Sequence, residues 1–423
     1  MKNLILIILL FFVQFSFAQR TEYFGGERFL DSKFAVDCIE NVKYGENFTH
    51  KGKKQELFMD IYVPKNDTMQ KRPVIILAYP GAFMAGSKRL GIMKTMAYQL
   101  AEFGYVVASI DYRRGYGKGK SEDEIGKSTV LRAMQDMKAA VRFFRKDAAL
   151  QNSYHVDSKL ITIGGSSAGA IVALQAAYLK DTIDFPCLDY EALGGFEGNS
   201  GNLGYSSEVQ CVIALAGVVG DTSWLARNDP PVLLMQGDQD YFVPFRHGKI
   251  RMRVGRIASL FIPHVPEVEA FGSLPISQRA KHIGLNYELF VFENKGHCPY
   301  DMYMSPKTYA KEQDLVINYI RNFLYTNLLR KEQKIIKTDI SYLGKVYVSE
   351  IKKGEDIIIE LPDKYLKTIK VYIRDGNDEK KYLEKKLRSK NGFYTLKNNL
   401  KQGKYILKIR WGEYRTRVYF EIK

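Results

Sequence analysis

Six runs dominated by apolar residues, spaced by helical periodicity, constrain this chain more than any other feature. They are VIILAY (74–79), YVVASID (105–111), KLITIGG (159–165), VQCVIALAG (209–217), PVLLMQG (231–237) and YELFVFEN (287–294). A strand with one wet face alternates polar and apolar residues, so runs that stay apolar belong to strands buried on both faces. Helical patterns lie between most of them, for example over 131–145 and 170–179. Such alternation predicts an α/β fold: a doubly wound, mostly parallel sheet with helices on both sides. Two earlier strand-like stretches, 41–44 and 56–63, have no helix between them and predict an antiparallel edge. An amphipathic stretch over 309–329 predicts a closing helix.

After residue 331 the period changes. Short alternating runs (VYVS, DIIIEL, TIKVYIRD, GFYTL, KYILKIRW, TRVYFEIK) are separated by turn signals such as Lys353-Gly354, Asp375-Gly376-Asn377 and Asn391-Gly392. This predicts a small all-β sandwich. The expected organisation is a leader over 1–18, an α/β domain over 19–329, a polar linker over 330–338 and the sandwich over 339–423.

The leader combines Lys2, an apolar run over 4–13 and small residues at Ser16 and Ala18. It is too short for the ~20 apolar residues of a membrane span, so it reads as a cleaved signal peptide. The expected location is therefore extracellular, cell-surface or periplasmic, with no transmembrane helix after cleavage. Cys38, Cys187, Cys211 and Cys298 contain no CxxC pair, which argues against a zinc site, and their spacing leaves any disulfide connectivity open. The net charge is +16, but residues 330–423 hold 25 Lys/Arg and 13 Asp/Glu, or +12 of it. A basic face confined to one exported module fits anionic surface glycans, lipid headgroups or solvent rather than nucleic acid.

Four segments carry chemistry. KLITIGG runs directly into Ser166, Ser167, Ala168 and Gly169, which puts Gly165-x-Ser167-x-Gly169 on a strand-to-helix turn. Such an elbow lifts a serine hydroxyl above the sheet and aims the Ala168 N–H at developing negative charge. The first buried strand ends in AYPGAFMAGSK (78–88), where Gly81 and Ala82 can donate to an oxyanion and Pro80 cannot. PVLLMQG ends in Asp238-Gln239-Asp240, two acids at the carboxyl end of a strand. YELFVFEN is followed by Lys295-Gly296-His297, which completes the chain order Ser, Asp, His. Tyr79, Phe83, Ser166, Trp224 and Tyr241 are the candidates for a substrate pocket, with Tyr116 on a neighbouring loop.

These residues resemble the esterase and lipase families of the α/β-hydrolase fold, particularly carboxylesterases akin to hormone-sensitive lipase and the bacterial feruloyl and acetyl esterases. The likeness covers about residues 38–329. Where the family reads His-Gly-Gly-Gly or His-Gly-Gly-Ala before Phe, this chain has Tyr79-Pro80-Gly81-Ala82-Phe83; the donor positions survive, and a loop-organising His is replaced by Tyr79. DYRRG (111–115), DMKAAVRFFRKDA (136–148) and Gly296-His297 match family segments. The family spacing of Gly-x-x-Asp, then Val-Pro, selects Asp240 over Asp238. The Gly-rich stretch over 192–207 looks like an insert of secreted carboxylesterases and is expected near the pocket mouth. The terminal module weakly resembles bacterial sorting domains without their Tyr-Pro-Asn-Pro opening, which would make a secretion machinery its partner.

The resemblance implies a Ser167–Asp240–His297 triad, an oxyanion hole from Gly81, Ala82 and Ala168, and hydrolysis of short-acyl carboxylic esters of small molecules or glycans. It implies neither a metal nor an organic cofactor. The alternatives are a serine peptidase of the same fold and an inactive hydrolase-like binding protein.

Overall fold

The computed structural model describes residues 28–30, 34–180, 188–251 and 265–329, together with 336–337, 346–347, 357–360, 368–375, 380–388, 393–397, 399–411 and 414–422. The leader over 1–18, Cys187 and most of the 330–338 segment lie outside them.

The six apolar runs form the parallel part of one eight-stranded sheet, with the last of them at its edge. Its strands are β1 (Val36–Phe48), β2 (Lys54–Pro64), β3 (Arg72–Ala78), β4 (Val106–Ile110), β5 (Val156–Ser166), β6 (Cys211–Leu215), β7 (Val232–Gly237) and, after the short hairpin of β8 (His247–Lys249) and β9 (Glu269–Phe271), β10 (Tyr287–Phe292). Their spatial order is β1-β2-β4-β3-β5-β6-β7-β10. β2 runs antiparallel to both β1 and β4, and every pairing from β4 to β10 is parallel. β3, β4, β6 and β7 are buried along their whole length, as their composition requires.

Among the described residues, five α-helices cover the sheet: α1 (Gly91–Glu102), α2 (Glu122–Leu150), α3 (Ala168–Tyr178), α4 (Ser273–Ile283) and α5 (Tyr309–Leu324). α2 is about twice as long as its apolar periodicity over 131–145 suggests. Its extra turns begin at Ser121, whose hydroxyl accepts from the Glu124 N–H, followed by acids at 122–124 that favour a helix N-terminus. α2 carries a buried ion pair: Asp136 accepts from the Arg113 backbone N–H at 2.8 Å and from its Nε at 2.9 Å, and Ser200 Oγ donates to the same carboxylate at 2.6 Å. The two segments DYRRG and DMKAAVRFFRKDA thus meet at one fully desolvated carboxylate. Loss of either partner would leave a buried charge uncompensated, a cost of about 3–5 kcal/mol.

The Gly-rich stretch lies elsewhere than expected. Gln135 donates to the carbonyls of Leu193 and Gly195, Lys138 and Arg142 pair with Glu197, and Asn47 donates to Ser200. It is stapled to α2 and β1 by buried side chains, and none of its residues lines the cavity described below.

The C-terminal strands form a second core of their own, shared by a three-stranded sheet (β11 Ile336–Lys337, β13 Ile357–Glu360, β16 Phe393–Leu396) and a five-stranded one (β12 Val346–Tyr347, β18 Tyr414–Ile422, β17 Gly403–Trp411, β14 Thr368–Asp375, β15 Lys381–Arg388). Ile357 and Leu396 from the first pack with Val371, Leu407 and Ile409 from the second, which makes the region a sandwich. β11 falls inside the segment read as linker and pairs with β13. β15 is an edge strand with Lys381, Lys385 and Lys386 exposed. Its charge hides the alternation that marks the other strands.

Candidate active site

The elbow after β5 is built on close backbone approach. A Cβ on Gly169 would stand 2.0 Å from the Ala78 carbonyl oxygen, and one on Gly165 would stand 2.5 Å from the same atom. Only glycine fits either place. Between them Ser167 takes φ 52° and ψ −118°, a left-handed strain that non-glycine residues carry at functional turns, and its N–H donates to Leu215 O at 2.8 Å. Ser167 is the residue before α3, so its hydroxyl stands at the carboxyl end of the sheet and the Ala168 N–H begins the helix without an intrahelical acceptor.

His297 lies between the other two residues of the expected set. Its Nε2 is 2.8 Å from Ser167 Oγ and its Nδ1 is 2.8 Å from Asp240 Oδ2. An ionised carboxylate only accepts, so Nδ1 carries the hydrogen, and in the neutral ring Nε2 accepts from the serine. Asp240 is held in turn: Oδ1 accepts from the N–H groups of Phe242 and Val243, each at 3.0 Å, and Oδ2 also receives Gln236 Nε2 at 3.3 Å. Asp238 makes no such link, and its Oδ1 is buried without a hydrogen-bond partner, so it does not brace the loop through that atom. Burial acts against the His297 imidazolium, while the neighbouring Cys298 sulfur and the hydrogen bond to Asp240 favour it; the balance is upward, to about 10.

Across the site, the loop after β3 is folded tightly. Gly81 has φ +135°, and a Cβ there would meet Ala85 O at 2.1 Å; Ala82 and Phe83 both take left-handed backbone, at φ 50° and 57°. The segment after β4 holds this loop from outside, through Tyr116 Oη to Ala82 O (2.9 Å), Tyr112 Oη to Tyr79 O (2.9 Å) and the Gly115 N–H to Phe83 O (2.8 Å).

A cavity of about 650 Å³ opens over Ser167 and His297, within the range of small-molecule sites. Gly81, Ala82, Ala168 and Phe83 line it, with Tyr116, Ile171, Val218, Phe242, Ile250 and Val268 among its apolar walls. Four pocket candidates from the sequence do not line it. Tyr79 is buried and stacks on Tyr112 with ring centroids 4.4 Å apart, which organises the loop by packing. Ser166 is buried and bonds away from the cavity to Tyr300. Trp224 packs against Gly220, and Tyr241 is 77% exposed. Phe242, one residue past Tyr241, takes the wall position beside His297, with ring centroids 5.4 Å apart. Its signal in the sequence was its place two residues after Asp240. Cys38 and Cys298 are free thiols, and among the described residues no group of acidic, His and Cys side chains could hold a metal ion.

The strand order, the elbow and the residues gathered over it are those of the α/β-hydrolase fold. Residues 59–224 match the BD-FAE family model, a family of α/β-hydrolase esterases. The chain is similar to the fumonisin B1 esterase of Sphingopyxis macrogoltabida, 28% identical over 144 residues, which are 33% of this chain and 26% of that protein. It thus spans about a quarter of that relative's length. Among solved structures it is similar to esterase 2 of Thermogutta terrifontis in its apo form (18% identity, TM-score 0.48, 69% of this chain and 96% of that one) and with propionate bound (18%, TM-score 0.47, 72% and 98%).

Proposed function

We propose that the protein is a secreted serine carboxylesterase that hydrolyses short-acyl esters through Ser167, His297 and Asp240. The observation that carries this reading is the unbroken hydrogen-bonded line from Asp240 through His297 to Ser167, opening onto an apolar cavity. Ser167 Oγ bonds to the ester carbonyl carbon as its proton passes to His297 Nε2, and Asp240 fixes the ring and stabilises the imidazolium. The N–H groups of Gly81, Ala82 and Ala168 receive the carbonyl oxygen as it becomes an oxyanion. Collapse of the tetrahedral adduct expels the alcohol, which takes the proton from His297. A water then repeats the sequence on the acyl-enzyme, releasing the acid and restoring Ser167.

The preference for short acyl groups follows from bulk beside the nucleophile: Phe83 and Phe242 both line the space over Ser167 and His297. The remaining apolar wall leaves room for a larger alcohol, small-molecule or glycan. Export is supported by the leader over 1–18, and the C-terminal sandwich is assigned an accessory or sorting role.

The test is a panel of p-nitrophenyl esters of rising chain length, run beside an acetylated and a feruloylated glycan, with Ser167→Ala as the blank. Turnover on acetate and butyrate esters that vanishes in Ser167→Ala is expected. Maximal turnover on long chains would overturn the acyl preference, and turnover unaffected by Ser167→Ala would overturn the mechanism.

A further inference from the structure

Beneath the catalytic pair lies a second set of polar side chains that the reaction does not use. Tyr300 is fully buried, and its Oη donates to Cys298 Sγ at 3.3 Å. The same oxygen is 3.0 Å from Ser166 Oγ, and Ser166 Oγ is 3.5 Å from Cys298 Sγ. A phenol has one proton to give, so with that proton on Cys298 the Ser166 hydroxyl donates to Tyr300. The sequence positions give the arrangement its meaning. Ser166 immediately precedes Ser167, and Cys298 immediately follows His297.

Both junctions are strained. Ser167 has φ 52° and Cys298 has φ 49°, left-handed backbone that non-glycine residues seldom adopt unless surrounding structure holds them there. These two loops leave different strands, β5 and β10, which β6 and β7 separate in the sheet, so no ladder of backbone hydrogen bonds joins them directly. The Tyr300 hydroxyl links the two loops through Ser166, beside the direct Ser166–Cys298 contact.

We propose that Tyr300 is a positioning residue: its hydroxyl ties the residue before the nucleophile to the residue after the base, and so sets the Ser167–His297 distance. This rests on the esterase reading of the site. Hydrogen bonding from Oγ to Nε2 decides how readily Ser167 loses its proton, and a displacement of order 1 Å at such a contact costs about 100-fold in rate. A role limited to satisfying a buried phenol would leave the chemistry untouched once the fold was intact.

The experiment measures two quantities on the full chain with Tyr300→Phe, Ser166→Ala, the double variant and Cys298→Ser, each checked by thermal melting. One is kcat and KM on p-nitrophenyl acetate. The other is the rate of labelling by a fluorophosphonate, in which Ser167 Oγ bonds to phosphorus, fluoride leaves and the proton goes to His297; this reads nucleophile strength without an ester substrate. Tyr300→Phe and Ser166→Ala are each expected to lower kcat and the labelling rate about 10- to 100-fold with KM unchanged. The double variant should be no slower than the worse single one, since both remove the same bridge. Cys298→Ser keeps an acceptor for the Tyr300 hydroxyl, so its loss should be smaller than that of Tyr300→Phe. Wild-type labelling in a folded Tyr300→Phe, or losses that multiply in the double variant, would overturn the proposal alone. A wild-type chain that is neither labelled nor hydrolytic would overturn the esterase reading beneath it.

Discussion

Asp240 divides its two oxygens between different tasks with respect to His297: Oδ2 faces the ring at 2.8 Å, while Oδ1 is occupied by the N–H groups of Phe242 and Val243. The carboxylate therefore cannot rotate away from the imidazole without breaking two backbone hydrogen bonds. Asp238, two residues earlier, has no counterpart to this clamp.

That difference predicts the outcome of two isosteric changes. Asp240→Asn should lower kcat by about 10⁴-fold, because an amide nitrogen facing Nδ1 selects the wrong tautomer. Asp238→Asn should leave activity within about tenfold, since the oxygen it replaces has no partner to lose. Both would be assayed on one short-chain ester after circular dichroism. A reversed order would move the acid to Asp238.

The pH profile follows from the His297 balance. The base must be neutral to accept the serine proton, and its pKa is raised from 6.5 to about 10. kcat/KM should accordingly rise with pH above 6.5 rather than level off there. The same shift has a stability counterpart: the charged ring stabilises the fold fully below pH 6.5, and that contribution is lost as pH rises toward 10. Melting temperatures of wild type and His297→Gln, compared across this window, should converge toward the alkaline end.

Gly169 offers a test of the elbow that is independent of catalysis. Gly169→Ala drives a methyl into the Ala78 carbonyl oxygen at 2.0 Å, whereas Gly91→Ala, at the start of α1, meets nothing within 4 Å. The first should cost about 3 kcal/mol or more and the second less than about 0.5 kcal/mol. Urea midpoints measure both.

A chain ending at Leu329 should fold and keep its esterase rate. Every residue of the cavity precedes that point, and the C-terminal sandwich has a core that shares no side chain with the first. Loss of activity in a folded, shortened chain would show that the sandwich contributes to the site.

Most of the sheet was legible because strands buried on both faces must be apolar throughout, and the Ser167, Asp240 and His297 positions were legible because each follows an apolar strand, even though β10 before His297 is a partly buried edge strand. The pocket was not. Tyr241 and Phe242 are adjacent in sequence and chemically alike, yet one is exposed and the other walls the cavity, a distinction set by the Asp240 turn and invisible to composition. Tyr79 looked like a pocket residue because of the motif it interrupts, but its stacking on Tyr112 depends on β3 and β4 being neighbours. Tyr300 and Ser166 are 134 residues apart, and no local pattern joins them. The charged strand β15 escaped for the opposite reason: its residues avoid the alternation that marks a strand.

That avoidance has a consequence for how the protein behaves in company. A free strand edge invites the same strand from a second molecule, and the pairing would bring Lys381, Lys385 and Lys386 of one copy to about 4.8 Å from their counterparts or neighbours in the next. Ammonium groups crowded in this way repel. Lysines along this edge work against such pairing, where a bare apolar strand would favour it.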